Sequence, residues 1–253
     1  MDEDMFLHEY KDAQIAKSIA VIGFPSVGLV SSIAANYIVR SMKLERIATI
    51  ISKDFPAYTI LHDGIPSPPV RIYAGKRECN GDGEKCEQIV VILSEFMPRP
   101  DLLKRLCEII LDWCQKKGID TIMTLEGVNI SDNPKETRIF GVGTTSKTKG
   151  MLQTYRISEM REGMVSGLSG LLLSEGDRLS IDVMCLLGPA KADMPDAGGA
   201  ARLLEIIGEM LPEIKLDSQP LRKEAEEIEQ GMKTAMESMK QINKPGEEST
   251  LYG

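Results

Sequence analysis

The clearest hydrophobic pattern lies between residues 18 and 40, where an uninterrupted apolar run is followed by a turn and a longer apolar segment. The run at residues 19–22 predicts a buried strand, residues 23–28 predict the turn, and the segment that follows predicts a helix. A strand, a short turn and a helix in this order are typical of the start of an α/β domain. The pattern therefore predicts an α/β fold.

The same alternation continues along most of the chain. The apolar run at residues 88–93, the amphipathic segment at 100–117 and the apolar run at 119–125 predict two parallel strands joined by a helical crossover. Before this crossover, prolines and glycines separate short apolar runs that predict a β-rich insert. Further predicted strands are residues 46–51, 58–61, 70–74, 138–142 and 179–187, and further predicted helices are residues 167–173 and 196–211, the latter capped by Asp196.

The turn after the first strand has two interpretations. Gly23, Ser26 and Gly28 lie where a ligand-binding loop would present backbone amides and a hydroxyl to a phosphate at the start of a helix. However, the turn has neither the Gly-Lys-Ser/Thr of a P-loop nor the G-x-G-x-x-G of a dinucleotide site. The alternative, which we favour, is that Ser26 caps a helix that begins at Val27.

The last forty residues change in character. From residue 221 to 242 the sequence is highly charged, contains no proline and places apolar residues at alternating steps of four and three. This heptad spacing is typical of a coiled coil or helical bundle, so it predicts an oligomerisation helix. Because alanine and methionine form a weaker apolar stripe than leucine and isoleucine, packing of the helix on its own domain is the alternative. The predicted seam consists of Leu221, Ala225, Ile228, Met232, Ala235, Met239 and Ile242.

The chain ends in a polar segment followed by two larger side chains. Residues 244–250 contain proline, glycine and charged residues, which predict a flexible linker. Leu251, Tyr252 and Gly253 follow, an apolar ending that is unusual for a solvated tail. The predicted organisation is an α/β domain at residues 1–217, an amphipathic helix at 218–243 and a flexible tail at 244–253.

Composition narrows the classes of function. The 253 residues are 42% hydrophobic, enough for a substantial core, and carry a formal net charge of −8 at pH 7. A nucleic-acid binder needs clustered lysine and arginine to neutralise phosphates, and the sequence has no such cluster. No apolar run is long enough to span a bilayer. We therefore expect a soluble cytoplasmic protein that binds neither nucleic acid nor membranes.

The cysteines offer little metal chemistry. Cys79 and Cys86 flank a turn-rich segment, so a hairpin would bring the two thiols opposite each other, and the sequence leaves a disulfide there open. Cys107 and Cys114 lie two turns apart on one face of a predicted helix, too far apart to share one zinc ion. The second pair therefore fits a buried apolar stripe better than a metal site.

The two histidines, His8 and His62, belong to no metal-binding or nucleophile–base motif. Asp63 and Gly64 follow His62, and a hairpin turn is the favoured interpretation of this segment. We therefore expect no metal, no cofactor and no catalytic residue.

Four segments carry a resemblance to a known family. They are residues 23–30 (Gly-Phe-Pro-Ser-Val-Gly-Leu-Val), 125–127 (Leu-Glu-Gly), 167–173 (Gly-Leu-Ser-Gly-Leu-Leu-Leu) and 194–196 (Met-Pro-Asp). In their order and spacing they resemble the PAC2 family of proteasome assembly chaperones, particularly its archaeal members. The resemblance covers about residues 15–215. It implies a three-layer, phosphorylase-like α/β/α sandwich that forms homo-oligomers and has no established catalytic centre.

The ending Leu251, Tyr252 and Gly253 is similar to the hydrophobic–tyrosine–any ending of proteasome activators and of some chaperones of this family. The resemblance implies that Tyr252 enters a pocket between subunits of the proteasome α-ring, with Leu251 at its mouth and the Gly253 carboxylate paired with a lysine. It thus implies a non-enzymatic proteasome assembly chaperone or proteasome-binding factor. Its partners would be the α subunits of the core particle and further copies of the chain.

The competing hypothesis is a nucleoside- or small-ligand-binding enzyme of phosphorylase-like fold. Because α/β folds bind ligands at the carboxyl ends of their strands, such a site would lie at the turn of residues 23–28 and at Glu126 and Gly127. Similarity of fold alone does not confer activity.

Overall fold

Strands and helices alternate along the chain in the computed structural model, as the hydrophobic pattern predicts. The structure describes residues 4–13, 15, 18–62, 64–76, 88–129, 138–192, 194–212 and 214, and near the C terminus residues 223, 227–228, 230–234 and 237. The strands of this part of the chain are β1 (Met5–Glu9), β2 (Ser18–Gly23), β3 (Glu45–Ser52), β4 (Ile60–His62), β5 (Ile65–Ser67), β6 (Val70–Lys76), β7 (Gln88–Ser94), β8 (Ile119–Asn129), β9 (Phe140–Gly143), β10 (Ser158–Glu159) and β11 (Val183–Ala190). The α-helices are α1 (Val30–Ser41), α2 (Pro100–Lys117), α3 (Ser146–Thr154), α4 (Gly167–Leu179) and α5 (Ala197–Met210).

Nine of these strands form one mixed sheet in the order β1-β3-β6-β7-β2-β8-β11-β9-β10. The four central strands β7, β2, β8 and β11 are parallel, whereas β1, β3, β6 and β7 pair antiparallel in succession. The predicted crossover from β7 through α2 to β8 is confirmed, with β2 inserted between its two strands. β4 and β5 form a separate two-stranded hairpin.

Alternate residues of the central strands face opposite helical layers. Ile19 and Val21 of β2 belong to the apolar cluster that contains α1 and α5, whereas Ala20 and Ile22 belong to the cluster that contains α2 and α4. A parallel strand that is buried on both faces has a continuous apolar sequence, which explains the run at residues 19–22. The sheet therefore lies between helices on both of its faces.

The strand predicted at residues 179–187 is wrong at its beginning. Leu179 is the last residue of α4, and β11 begins at Val183. The helix continues past residue 173 because its side facing the sheet repeats every four residues. The buried residues on that repeat are Leu168, Leu172 and Gly176.

The structure describes part of the predicted C-terminal helix, in which residues 230–234 are helical. Ile228 and Met232 of the predicted seam are each 7% exposed and belong to the same apolar cluster as α1 and α5. At these two positions the structure therefore shows the alternative, packing of the helix on its own domain. The oligomeric role of the helix and the domain boundaries stay predictions. The other seam residues, Leu221, Ala225, Ala235, Met239 and Ile242, lie outside the described residues.

Candidate functional site

The turn after β2 carries the chain from the sheet into α1. β2 ends at Gly23, a 3₁₀ turn spans Val27–Leu29, and α1 begins at Val30. Gly28 has a φ of 62°, in the left-handed region that glycine adopts most readily. A Cβ atom at this position would also lie 2.8 Å from the carbonyl oxygen of Lys191. The turn therefore requires glycine at position 28 for its conformation and for its packing.

The Ser26 hydroxyl joins the turn to the end of β8. Its oxygen lies 2.7 Å from the Ser31 hydroxyl oxygen and accepts a hydrogen bond of 3.2 Å from the Gly127 backbone N–H. Ser31 in turn donates to the carbonyl oxygen of Phe24. The prediction that Ser26 caps the helix is wrong, because its side chain makes no capping bond within the described turn and α1 begins only at Val30.

Two further glycines allow the turn to approach its neighbours closely. A Cβ atom on Gly127 would lie 2.2 Å from the carbonyl oxygen of Val27, and one on Gly23 would lie 2.3 Å from the Cβ of Ala35. A larger residue at either position would have to displace backbone or a packed helix, which destabilises a close-packed interior. The turn therefore packs directly on β8 and α1.

Asp196 holds the loop after β11 against the same turn. Its backbone N–H donates to the Gly28 carbonyl oxygen at 2.8 Å. Its carboxylate accepts from the Lys191 N–H at 3.0 Å and from the Gly199 N–H at 2.8 Å. The bond from Gly199 confirms Asp196 as the predicted N-cap of α5. The carboxyl ends of β2, β8 and β11 thus meet at one polar junction.

Glu126 lies at this junction, near the end of β8. Burial raises the pKa of its carboxyl to about 7, and a hydrogen bond with Ser169 of α4 opposes part of the shift. Ser169 also bonds the Thr124 hydroxyl. Cys185 of β11 pairs in register with Thr124, and burial, followed by the nearby Glu126 charge, holds the pKa of its thiol well above the ordinary value. A carboxyl that titrates near neutrality has the property that a general acid or base requires.

Sequence reasoning missed a buried ion pair at the end of the neighbouring strand. Arg71 of β6 and Glu95, directly after β7, form a salt bridge in which the side chains are 3% and 12% exposed. Asn36 of α1 donates to Glu95 Oε1 at 3.3 Å. The sequence carries one indication of this pair, an arginine inside the apolar run at residues 70–74, because a buried arginine requires a counter-charge.

Other predicted residues lie away from the junction. Cys107 and Cys114 are buried in α2, as the stripe interpretation predicts. His8 lies in β1, at the sheet edge four positions from β2 in strand order. In the part of the chain that the structure describes, no three histidine, cysteine, aspartate or glutamate residues come together to hold a metal ion. Over the same residues, no helix combines the length and the apolar character that crossing a membrane requires.

The remaining predicted sites fall outside the described residues. They are the docking residues Leu251, Tyr252 and Gly253 and the Cys79 and Cys86 pair.

The fold and the junction together define a class of protein. A large mixed sheet lies between helical layers, and glycine-containing turns pack closely at the carboxyl ends of its central strands. A sequence model of the PAC2 family matches residues 20–236. This chain belongs to the PAC2 family.

Individual proteins are similar to this chain over most of its length. The uncharacterized protein MJ0106 of Methanocaldococcus jannaschii is 27% identical over 253 residues, and the match covers 100% of both chains. The crystal structure of Pyrococcus furiosus PbaA, an archaeal homolog of proteasome-assembly chaperone, matches with a TM-score of 0.79 and 26% identity over 95% of this chain and 100% of that chain. Pyrococcus furiosus PbaB, an archaeal proteasome activator, matches with a TM-score of 0.73 and 20% identity over 92% of this chain and 99% of that chain. At that identity, PbaB is evidence for the fold alone.

Proposed function

We propose that this chain is a proteasome-related chaperone, which assists assembly of the core particle or binds the assembled particle. The observation that carries the proposal is membership of the PAC2 family together with the likeness to PbaA over 95% of the chain. The likeness also covers 100% of the PbaA chain. Fold alone would not indicate a partner, but membership of one family together with a likeness over nearly the whole chain supports a shared type of partner.

We assign the contact with the proteasome to Leu251, Tyr252 and Gly253. An aromatic ring with one apolar neighbour can fill a pocket between two ring subunits, and a free carboxylate can pair with a lysine at its side. The sequence of residues 244–250 predicts a flexible linker, and a linker of this composition would allow the ending to reach a partner.

A single tail is expected to bind weakly, because ordering a flexible segment offsets much of what one ring and one ion pair contribute. Several tails on one oligomer would engage a symmetric ring at a raised effective concentration, with an avidity about a hundredfold or more above that of one tail. The helix that carries the tail packs on its domain through Ile228 and Met232. We propose that the rest of the seam joins subunits and that the anchored helix fixes where each tail begins.

The junction at the ends of β2, β8 and β11 supports a structural role for the predicted ligand turn. The Ser26 hydroxyl is engaged by Ser31 and Gly127. Backbone atoms of neighbouring segments occupy the positions that side chains at Gly28 and Gly127 would fill. These groups therefore hold three strand ends together, and a non-enzymatic role needs nothing more from them.

One observation favours a second candidate, a nucleoside- or small-ligand-binding enzyme. Glu126 has a pKa of about 7 because it is buried beside Ser169. A phosphorolysis screen over nucleosides would test this candidate. Turnover that disappears in Glu126→Gln would establish the enzyme, whereas equal rates in both proteins would assign the turnover to a contaminant.

Co-sedimentation with purified archaeal proteasome core particles tests the proposed docking. The intact chain should sediment with the particles, and Tyr252→Ala should lose this binding while retaining its fold and its oligomeric state. Ser249→Ala is the matched control, because it changes a residue of the same tail outside the three-residue ending. Unchanged binding of Tyr252→Ala would contradict the assignment of the tail, and failure of the intact chain to bind would contradict the function.

A further inference from the structure

β2 and β7 form a topological switch point in the sheet. The two strands are adjacent and parallel. However, α1, which follows β2, packs in one apolar cluster, and α2, which follows β7, packs in the cluster on the opposite face. In open α/β sheets the crevice outside the carboxyl ends of such a pair is where ligands bind. The place to look is therefore the region directly after Gly23 and Ser94.

The Arg71–Glu95 pair lies at this crevice. Besides its salt bridge to Glu95, Arg71 donates from one terminal nitrogen to the Pro68 carbonyl oxygen at 3.3 Å. Glu95 uses only its Oε1 oxygen, which accepts from Arg71 and from Asn36 of α1. The two charges neutralise each other, so the cluster as a whole favours an uncharged guest over an ion.

Unpartnered polar atoms are concentrated at this pair. Among the described residues, five buried side-chain oxygen or nitrogen atoms have no hydrogen-bond partner, and three of them are Tyr58 Oη, Arg71 Nε and Glu95 Oε2. Burial raises the pKa of the Tyr58 hydroxyl, and the charges of both Glu95 and Arg71 act on it, which places this hydroxyl within electrostatic range of the pair. Buried polar groups in native proteins are almost always paired, so three unpaired atoms in one cluster indicate a partner that the chain itself does not supply.

Residues 53–59 cover the cluster. Phe55 and Tyr58 of this loop contact the Phe96 ring edge to face, with centroid distances of 5.1 Å and 6.1 Å. The three unpartnered atoms are buried beneath the surface. The backbone of the loop bonds mainly to itself and to the end of β3, through the Phe55 N–H to the Ser52 carbonyl oxygen at 3.2 Å and the Tyr58 N–H to the Pro56 carbonyl oxygen at 2.9 Å. Two side-chain contacts also hold the loop, because Thr59 Oγ1 donates to the Ser67 carbonyl oxygen at 3.0 Å and Asp54 pairs with Arg99 at 3.9 Å. Opening of the loop would therefore break these two contacts.

We propose that Tyr58, Arg71 and Glu95 form a binding site for a small uncharged molecule that presents an N–H donor beside a carbonyl acceptor, and that residues 53–59 close over it. The N–H of such an amide edge would donate to Glu95 Oε2, and its carbonyl would accept from Arg71 Nε. The Tyr58 hydroxyl, which both donates and accepts, would complete the contacts from the loop. This site is independent of the proposed function, because it lies in the domain and not in the tail.

Thermal unfolding of the intact chain with uracil tests the proposal. Uracil carries the required edge, whereas 1,3-dimethyluracil has the same ring without an N–H donor. Uracil at 20 mM should raise the melting temperature by about 3 °C, and dimethyluracil should leave it unchanged. Equal shifts with the two compounds, or no shift with either, would overturn the proposed recognition.

Variants locate the site. Tyr58→Phe removes one of the three unpartnered atoms and leaves the ion pair intact, so it should lose most of the uracil shift. Tyr10→Phe, a change at an exposed tyrosine, should keep it. Glu95→Gln is less suitable, because it leaves Arg71 buried without its counter-charge. A full uracil shift in Tyr58→Phe would place uracil elsewhere and contradict the site.

Hydrogen exchange tests whether residues 53–59 close over the bound molecule. The backbone amides of residues 53–59 should exchange more slowly in 20 mM uracil, with no change in dimethyluracil. Exchange that stays the same while the melting temperature rises would contradict closure of the loop. A crystal structure from uracil-containing solution that shows one water bridging Tyr58 and Glu95, with no uracil, would overturn the proposal.

Discussion

Glu126 is a carboxylate in an environment that favours its protonated form. Its carboxyl is buried where three strand ends meet, which raises its pKa to about 7 from an ordinary value of 4.5. Between these two pH values the folded chain keeps a proton that the unfolded chain has released. The contribution of Glu126 to the free energy of unfolding therefore falls as the pH rises from 4.5 to 7 and is constant above that range.

Glu126→Gln should remove this pH dependence. Glutamine has the shape of the protonated acid and can still bond Ser169. The variant should therefore melt close to the temperature of the native chain at pH 5 and about 5–10 °C higher at pH 8. Differential scanning calorimetry across this range measures the effect, with the exposed Glu205→Gln as control. A constant difference between native and variant at every pH would contradict the assignment.

Gly127 is the residue on which the packing of the turn depends most directly. Gly127→Ala would bring a methyl group within 2.2 Å of the Val27 carbonyl oxygen, and it should lower the free energy of unfolding by about 1–3 kcal/mol. Gly150→Ala in α3 is the matched control, because a Cβ there has no neighbour within 4 Å, and it should raise stability by about 0.5–1 kcal/mol. Urea denaturation distinguishes the two. Equal free energies of unfolding for both variants would show that the turn can accommodate the methyl group without loss of stability.

At the scale of elements, apolar periodicity predicted the features that depend on burial alone. The crossover from β7 through α2 to β8 follows from continuous apolar strands and an amphipathic helix, and it is confirmed. α3 was not predicted because its sequence is weakly amphipathic. It begins instead at a capping box in which Thr145 and Thr148 bond each other's backbone N–H groups. The strand predicted to begin at Leu179 begins at Val183 instead. The prediction was wrong there because leucine is common both in strands and at the ends of helices.

The candidate sites also contain features that the sequence pattern predicts and features that it does not. The glycines at positions 23, 28 and 127 could be located from the strand–turn–helix pattern, because close backbone approach requires glycine there. The pairing of Arg71 with Glu95 could not, because the two residues lie on different segments and only the strand order β6-β7 brings them together. Sequence periodicity predicts which face a residue occupies, but it does not predict its partner.

The C-terminal helix offers a test of its own packing. Ile228→Ala should lower the free energy of unfolding by about 2–4 kcal/mol, because Ile228 is buried with α1 and α5. Lys233→Ala, on the exposed side of the same helix, should have little effect. Urea denaturation measures both variants, and sedimentation velocity records their oligomeric state. An Ile228→Ala variant of native stability that no longer associates would show that this position belongs to a seam between subunits.

At the scale of the whole molecule, the domain and the tail have separate roles in the proposed function. The PAC2 match over residues 20–236 includes the sheet from β2 onward, both helical layers and the first part of the predicted C-terminal helix. Leu251, Tyr252 and Gly253 follow that match in the sequence, and we propose that they make the contact with the proteasome. Because each tail is weak, binding should depend on how many tails one assembly carries. Loss of self-association should therefore weaken binding almost as much as loss of the tail.

Electron microscopy of archaeal proteasome core particles mixed with the intact chain tests the central claim most directly. We expect additional density on the outer face of the α-ring, with Tyr252 in pockets between adjacent α subunits, and a bare ring when the chain ends at residue 250. A bare α-ring with the intact chain at saturating concentration, or density bound through the α/β domain with the pockets empty, would contradict it.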